Sequence, residues 1–235
     1  MSAERRGNAG HDWLGAVLAG LSAAAMFVAL GLVFLYAPRE VTMGDVQRIF
    51  YFHVSSAWVG FLAFFVTFLG GIGYLLRRER GWDILALSSV EIGLTFITMA
   101  VITGSLWARP AWGTYWTWEP RLTISAVQLL IYVAYLMLRS SIEGAERKAR
   151  FAAVYGVLAF VTVPFSWFAI RWWRTIHPEV LTGGGGMAIT PRMVHTLLVS
   201  LGAFTALYAT LLRQRMRLER AADDLARAQA QVDAI

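Results

Sequence analysis

Six apolar runs of about 17–24 residues recur along the chain, at 13–36, 54–76, 84–106, 122–138, 151–170 and 193–212. A helix rises about 1.5 Å per residue, so each run can cross about 30 Å of hydrocarbon. Composition agrees: 57% of the residues are hydrophobic and 15% are charged, where a soluble domain carries about 25% charged residues. The expected fold is an all-α polytopic membrane protein, a bundle of six transmembrane helices. The first run is too long for a signal-peptide core and has no clear cleavage site, so it is read as the first span.

Charge orients the bundle. Of 21 Lys and Arg, fourteen fall in the N-terminal tail, the 77–83 and 139–150 connections and the C-terminal tail. Arg39, Arg48, Arg109, Arg121, Arg171, Arg174 and Arg192 fall on the other side. Basic residues collect on the cytoplasmic side, so both termini are expected in the cytoplasm and the tryptophan-rich loop on the outer face. The net charge of +6 then calls for no nucleic acid. Residues 1–212 read as one transmembrane domain and 213–235 as a charged cytosolic tail, in which "RLERAADDLARAQAQVDAI" reads as a short helix.

The basic connections are short, whereas the outer loops are long and rich in distinctive residues. "WGTYWTWEPRLT" (112–123) holds three tryptophans, Tyr115, Glu119 and Arg121. "GDVQRIFYFHVSSAWVG" brings Arg48 and aromatic residues around His53, and "RWWRTIHPEVLTGGGG" brings Trp172, Trp173, Arg171 and Arg174 near His177. Of the four histidines, His11 sits in the N-terminal tail and His53, His177 and His195 lie on the outer side. Single tryptophans at helix ends form interfacial belts. A belt spreads its rings round a bundle, but Trp107, Trp112, Trp116 and Trp118 are concentrated in one segment.

Haem would use all of these parts. Aromatic rings cover its apolar plate, imidazoles bind its iron axially and arginines pair with its propionates. Aromatic boxes also take quinones and sterol-like lipids, so residue types alone leave those ligands open. The chain has no Cys, which excludes disulfides, thiolate metal ligands and covalent haem attachment through C-x-x-C-H. A haem held here would be bound without thioether bonds, and haem b is the expected form.

The tryptophan segment resembles the W-G-T-W-W-x-W-D signature of haem-handling membrane proteins, and nearly the whole chain resembles the haem exporter protein C family, CcmC. "RIFYFHV" and "RWWRTIHP" are similar to the two histidine stretches of that family, and "TGSLW" leads into the tryptophan segment as it does there. Tyr115 replaces a tryptophan and Glu119 an aspartate, each keeping its chemistry. The resemblance implies that His53 and His177 are axial ligands, with Trp107, Trp112, Tyr115, Trp116, Trp118, Glu119, Arg121 and Arg48 around the haem. It implies a bacterial inner-membrane protein that binds haem at the outer face and presents it to a periplasmic chaperone of the CcmE type. The implied partners are an ATPase subunit, a second membrane subunit and a small single-span subunit (CcmA, CcmB and CcmD types). The chain lacks G-x-x-x-x-G-K-[ST], so ATP hydrolysis belongs to a partner and the chain itself is expected not to be an enzyme.

Other readings stay open at this point. His195 rivals His177 as second ligand. Glu119 and Arg121 form an ion pair, or Arg121 meets a propionate. Glu91, inside the third span, is either functional, with Thr95, Gln128 or another polar interior group as partner, or solvated near the cytoplasmic interface. Pro164 predicts a kink. A haem lyase, a b-type cytochrome subunit and a permease for another lipid are the rival functions.

Overall fold

The computed structural model describes residues 12–173, 176–177 and 189–233. Arg5, Arg6, His11, Arg174 and the glycine run at 182–186 lie outside the described residues, as does the side chain of Arg171. All six apolar runs are helices long and apolar enough to cross a membrane. The described helices are α1 (Trp13–Gly31), α2 (Ile49–Arg77), α3 (Arg80–Trp112), α4 (Pro120–Ser141), α5 (Ala145–Ala159), α6 (Thr162–Trp172) and α7 (Pro191–Asp233). A π-helical segment, Leu32–Tyr36, prolongs α1, and a 3-10 turn, Asp45–Arg48, leads into α2.

The fifth span is α5 followed by α6, with the break at Phe160 and Val161. The interruption falls just before Pro164, the proline expected to kink the span. Pro164 has no N–H for the Phe160 carbonyl four residues back, and its ring crowds that carbonyl. The Val163 amide bonds to it instead, at 2.9 Å. The sixth span runs on as one helix to Asp233, so residues 212 and 213 lie within a continuous α7.

α2 and α3 form the central hairpin. A two-residue turn joins them, with Arg78 in the left-handed conformation at φ 58°. Their backbones approach closely where side chains are absent. A Cβ on Gly93 would lie 2.8 Å from the Ala63 Cβ, and one on Gly70 would lie 3.0 Å from the Ala86 Cβ. Small residues allow such close packing between membrane helices, where water exclusion provides no driving force. α4 closes one side of the hairpin through Gln128, Tyr132, Tyr135 and Arg139, which recur on one buried face. Tyr132 stacks on Phe64 with ring centroids 3.5 Å apart. α7 closes the other side together with α1, whose capping Asp12 receives Arg213 at 2.8 Å and also Arg217.

Several charges inside this bundle are paired. Arg139 reaches Asp83 in a fork, at 2.5 and 3.1 Å, and both side chains are buried. Arg80 contacts Asp83 and also grips Asp223 of α7 at 2.8 and 2.9 Å. Glu91 is paired with Arg215 at 2.6 and 3.1 Å, rather than with Thr95 or Gln128. Thr95 bonds the Glu91 backbone carbonyl instead. These pairs tie α3, α4 and α7 together at the end of the bundle away from His53.

Removing one partner from a buried ion pair strands the other charge, at about 3–5 kcal/mol. Asp83→Ala, which leaves the buried Arg139 guanidinium without its carboxylate, is therefore expected to lower stability by about that amount, read from unfolding in mixed detergent micelles. A loss below about 1 kcal/mol would show that the pair does not anchor α4.

Candidate functional site

His53 lies one turn into α2 and faces α3. Its Nδ1 is 2.9 Å from the carbonyl oxygen of Ala100. A carbonyl only accepts, so Nδ1 carries the proton and donates, leaving the Nε2 lone pair available for coordination. His177 lies beside it, with the two imidazole centroids 6.3 Å apart and the rings inclined at 40°. Two imidazoles bound to opposite sides of one metal, at about 2.0–2.1 Å per bond, hold their centroids about 6 Å apart. The spacing thus suits a shared axial site.

Both histidines line one cavity between α2, α3 and α4. Ala57 and Phe61 continue the His53 face of α2 at helical spacing, and Ala100, Gly104 and Ser105 come from α3. Arg121, Leu122 and Ser125 come from α4, and Trp112, Tyr115 and Trp116 close the rim. The cavity volume is about 80 Å³, well below the roughly 300–1,000 Å³ that encloses a drug-sized ligand. It can hold one edge of a macrocycle, with the remainder against the rim. Among the described residues no group of three or more His, Cys, Asp or Glu could hold a metal ion. Two imidazoles facing each other at 6.3 Å suit a metal that brings its own equatorial nitrogens, as haem does.

The loop after α3 is fixed by its sequence. Gly113, at φ 77°, ends the helix with its amide on the Arg109 carbonyl. Arg109 lies over the Tyr115 ring at 5.6 Å and donates to the Gly113 carbonyl. Trp107 packs edge-on against Trp112, with centroids 5.6 Å apart, and Trp118 packs edge-on against Trp116 at 5.7 Å. Trp107 and Trp118 therefore support the rim without lining the cavity. Trp118 is 75% exposed and Tyr115 57% exposed, so the rim offers flat apolar surface to its surroundings.

Glu119 and Arg121 interact electrostatically, and each also has a contact of its own. The Glu119 carboxylate accepts from the Leu122 amide at 2.9 Å, capping α4, with Pro120 in the first turn. This cap fixes where α4 starts and hence where Arg121 points. Arg121 lines the cavity and lies 3.4 Å from the Ser166 carbonyl.

Arg48 and His195 are placed elsewhere. Arg48 donates to the Val33 carbonyl, meets Asp45 at 3.2 Å and lies over Phe34 at 5.7 Å. Five residues separate it from His53, and at about 100° per residue the two point to different faces. His195 is exposed on α7 and does not line the cavity. The histidine that the fold brings to His53 is His177. Sequence reasoning missed Ala100, Gly104 and Ser125. Their signal was small residues at helical spacing beside a histidine and an arginine.

Fold and site together define a class: a multi-pass helical membrane protein with a paired-imidazole, aromatic-rimmed cavity suited to a metallated macrocycle. The chain matches the haem exporter protein C (CcmC) family over residues 5–231. It is 35% identical over 206 residues to haem exporter protein C of Bradyrhizobium diazoefficiens, covering 86% of this chain and 78% of the relative. It is 31% identical over 187 residues to haem exporter protein C of Escherichia coli K12, covering 78% and 74%. A putative cytochrome c biosynthesis ccmC-like mitochondrial protein of Marchantia polymorpha is 26% identical over 184 residues, covering 78% and 76%. The chain belongs to the haem exporter protein C family. It is a multi-pass membrane protein of haem transport in c-type cytochrome biogenesis and a member of a Ccm haem export complex.

Removing a helix cap costs about 0.5–2 kcal/mol. Glu119→Ala is expected to speed hydrogen exchange at the Leu122 amide, and Glu119→Gln, which keeps an accepting oxygen, to retain most of the protection. Equal exchange in all three proteins would remove the capping role.

Proposed function

We propose that this chain binds haem b at the outer, periplasmic face of a bacterial cytoplasmic membrane and passes it to a haem chaperone of the CcmE type. His53 and His177 are the iron ligands in this reading, and their 6.3 Å spacing across one cavity with Arg121 carries it. The chain's termini lie in the cytoplasm, in keeping with the basic residues gathered there. An ATPase subunit, a second membrane subunit and a small single-span subunit complete the complex and supply the ATP hydrolysis. The chain performs no covalent chemistry. The gathering of its paired histidines at one end of the bundle favours a delivery site over a b-type cytochrome's path across the membrane.

Each residue has a definable part. The imidazoles hold haem by coordination, which a competing ligand on the chaperone can replace. Arg121 pairs with a propionate, where charge-assisted hydrogen bonds contribute about 1.5–3 kcal/mol. Trp112, Tyr115 and Trp116 cover the exposed macrocycle, and Trp118 widens the platform on which the chaperone docks. The small cavity makes haem lie edge-in and half-covered, which leaves one side open for transfer.

The test is the absorption spectrum of the detergent-purified protein, as isolated and after dithionite. A low-spin b-type spectrum should be present in the wild type and in His195→Ala and lost in His53→Ala and His177→Ala. Arg121→Ala should keep the low-spin form but weaken haem affinity about tenfold or more. Loss of the spectrum in His195→Ala with retention in His177→Ala would move the second ligand to α7. A wild type with no Soret band even after haem addition would refute haem binding.

A further inference from the structure

A carbonyl within a helix is normally shielded by the side chains three and four residues further on, which lean back over it. The Ala100 carbonyl of α3 is reached from outside. The Nδ1 of His53, on α2, approaches it to 2.9 Å. The residues that flank that carbonyl are Thr103 and Gly104. Thr103 is short, and its hydroxyl turns back to the Met99 carbonyl at 2.7 Å and the Ala100 carbonyl at 3.2 Å, lying 3.5 Å from the His53 Nδ1. Gly104 has no side chain. A Cβ there would sit 2.8 Å from the His53 Cε1 and 3.1 Å from Nδ1. Contacts of that length with a rigid ring force the ring to move.

We propose that Gly104 is a positioning residue for the haem ligand His53, keeping open the lane through which the imidazole reaches the Ala100 carbonyl. The proposal rests on the reading of His53 as an iron ligand. The bond to Ala100 has two effects on that role. It holds the proton on Nδ1, so that Nε2 is the coordinating nitrogen. It also fixes the ring plane and strengthens the imidazole as a donor, as hydrogen-bond partners of metal-bound histidines do. Any side chain at 104 displaces the ring from this carbonyl, although alanine is otherwise a better helix former than glycine.

Haem is titrated into the detergent-purified full-length wild type, Gly104→Ala, His53→Ala and the double variant, followed by the Soret band and by the electron paramagnetic resonance of the ferric form. Gly104→Ala should weaken haem binding about 10–100-fold and convert part of the low-spin signal to high-spin. In the His53→Ala background the same substitution should change affinity less than twofold, because its effect passes through the His53 ring. Thr103→Leu, which crowds the same carbonyl from the neighbouring position, should reproduce the spin change and serves if Gly104→Ala does not fold. Equal weakening in both backgrounds, or wild-type affinity and spin state in Gly104→Ala and Thr103→Leu, would overturn the proposal and leave haem binding intact. A wild type that binds no haem would overturn the ligand reading beneath it.

Discussion

A backbone amide or carbonyl facing hydrocarbon has no water to bond, at a cost of several kcal/mol for each group left unmade, so a chain in lipid must satisfy its backbone internally. Among the described residues, six helices long and apolar enough to span follow from that constraint. So does the handling of polar side chains. Thr67, Thr98, Thr196, Ser200 and Thr210 bond back to carbonyls of their own helices. Asp83 and Arg139 neutralise each other. His53 uses the same device across a helix boundary, because its bond to the Ala100 carbonyl satisfies one ring nitrogen and leaves the other for coordination.

The bundle divides its labour along its length. At the end away from His53, Arg80, Asp83, Glu91, Arg139, Arg215 and Asp223 lock α3, α4 and α7 through ion pairs. At the other end α3 and α4 are joined by a loop with an aromatic rim, and with α2 they enclose a cavity lined largely by small or apolar side chains. A rigid base beneath an open mouth suits a protein that must grip one edge of a flat cargo and then give it up.

The spans were legible because lipid imposes an apolar length on each of them, and the interruption before Pro164 because proline lacks one specific donor. The continuity of the sixth span with the tail helix was not, since charged residues such as Arg215 and Glu219 carry α7 beyond its apolar run by pairing at helical spacing. The choice of His177 over His195 rested on the resemblance of "RWWRTIHP" to a family stretch, and the fold sets the His53 and His177 rings 6.3 Å apart. The side on which Arg48 points was not legible, because five residues carry it round the chain from His53. The Glu91–Arg215 pair joins residues 124 positions apart, and no local pattern signals a contact of that range. Gly104 was visible only as part of the lead into the tryptophan segment. Its relation to His53 depends on how closely two helices pack.

The central claim is that two histidines of this chain share one haem iron. Electron–nuclear double resonance of the ferric haem-loaded protein, grown with ¹⁵N-labelled histidine, counts those ligands directly. Two labelled nitrogens coupled to a low-spin iron are the predicted result. One labelled nitrogen, or a high-spin iron with none, would contradict it.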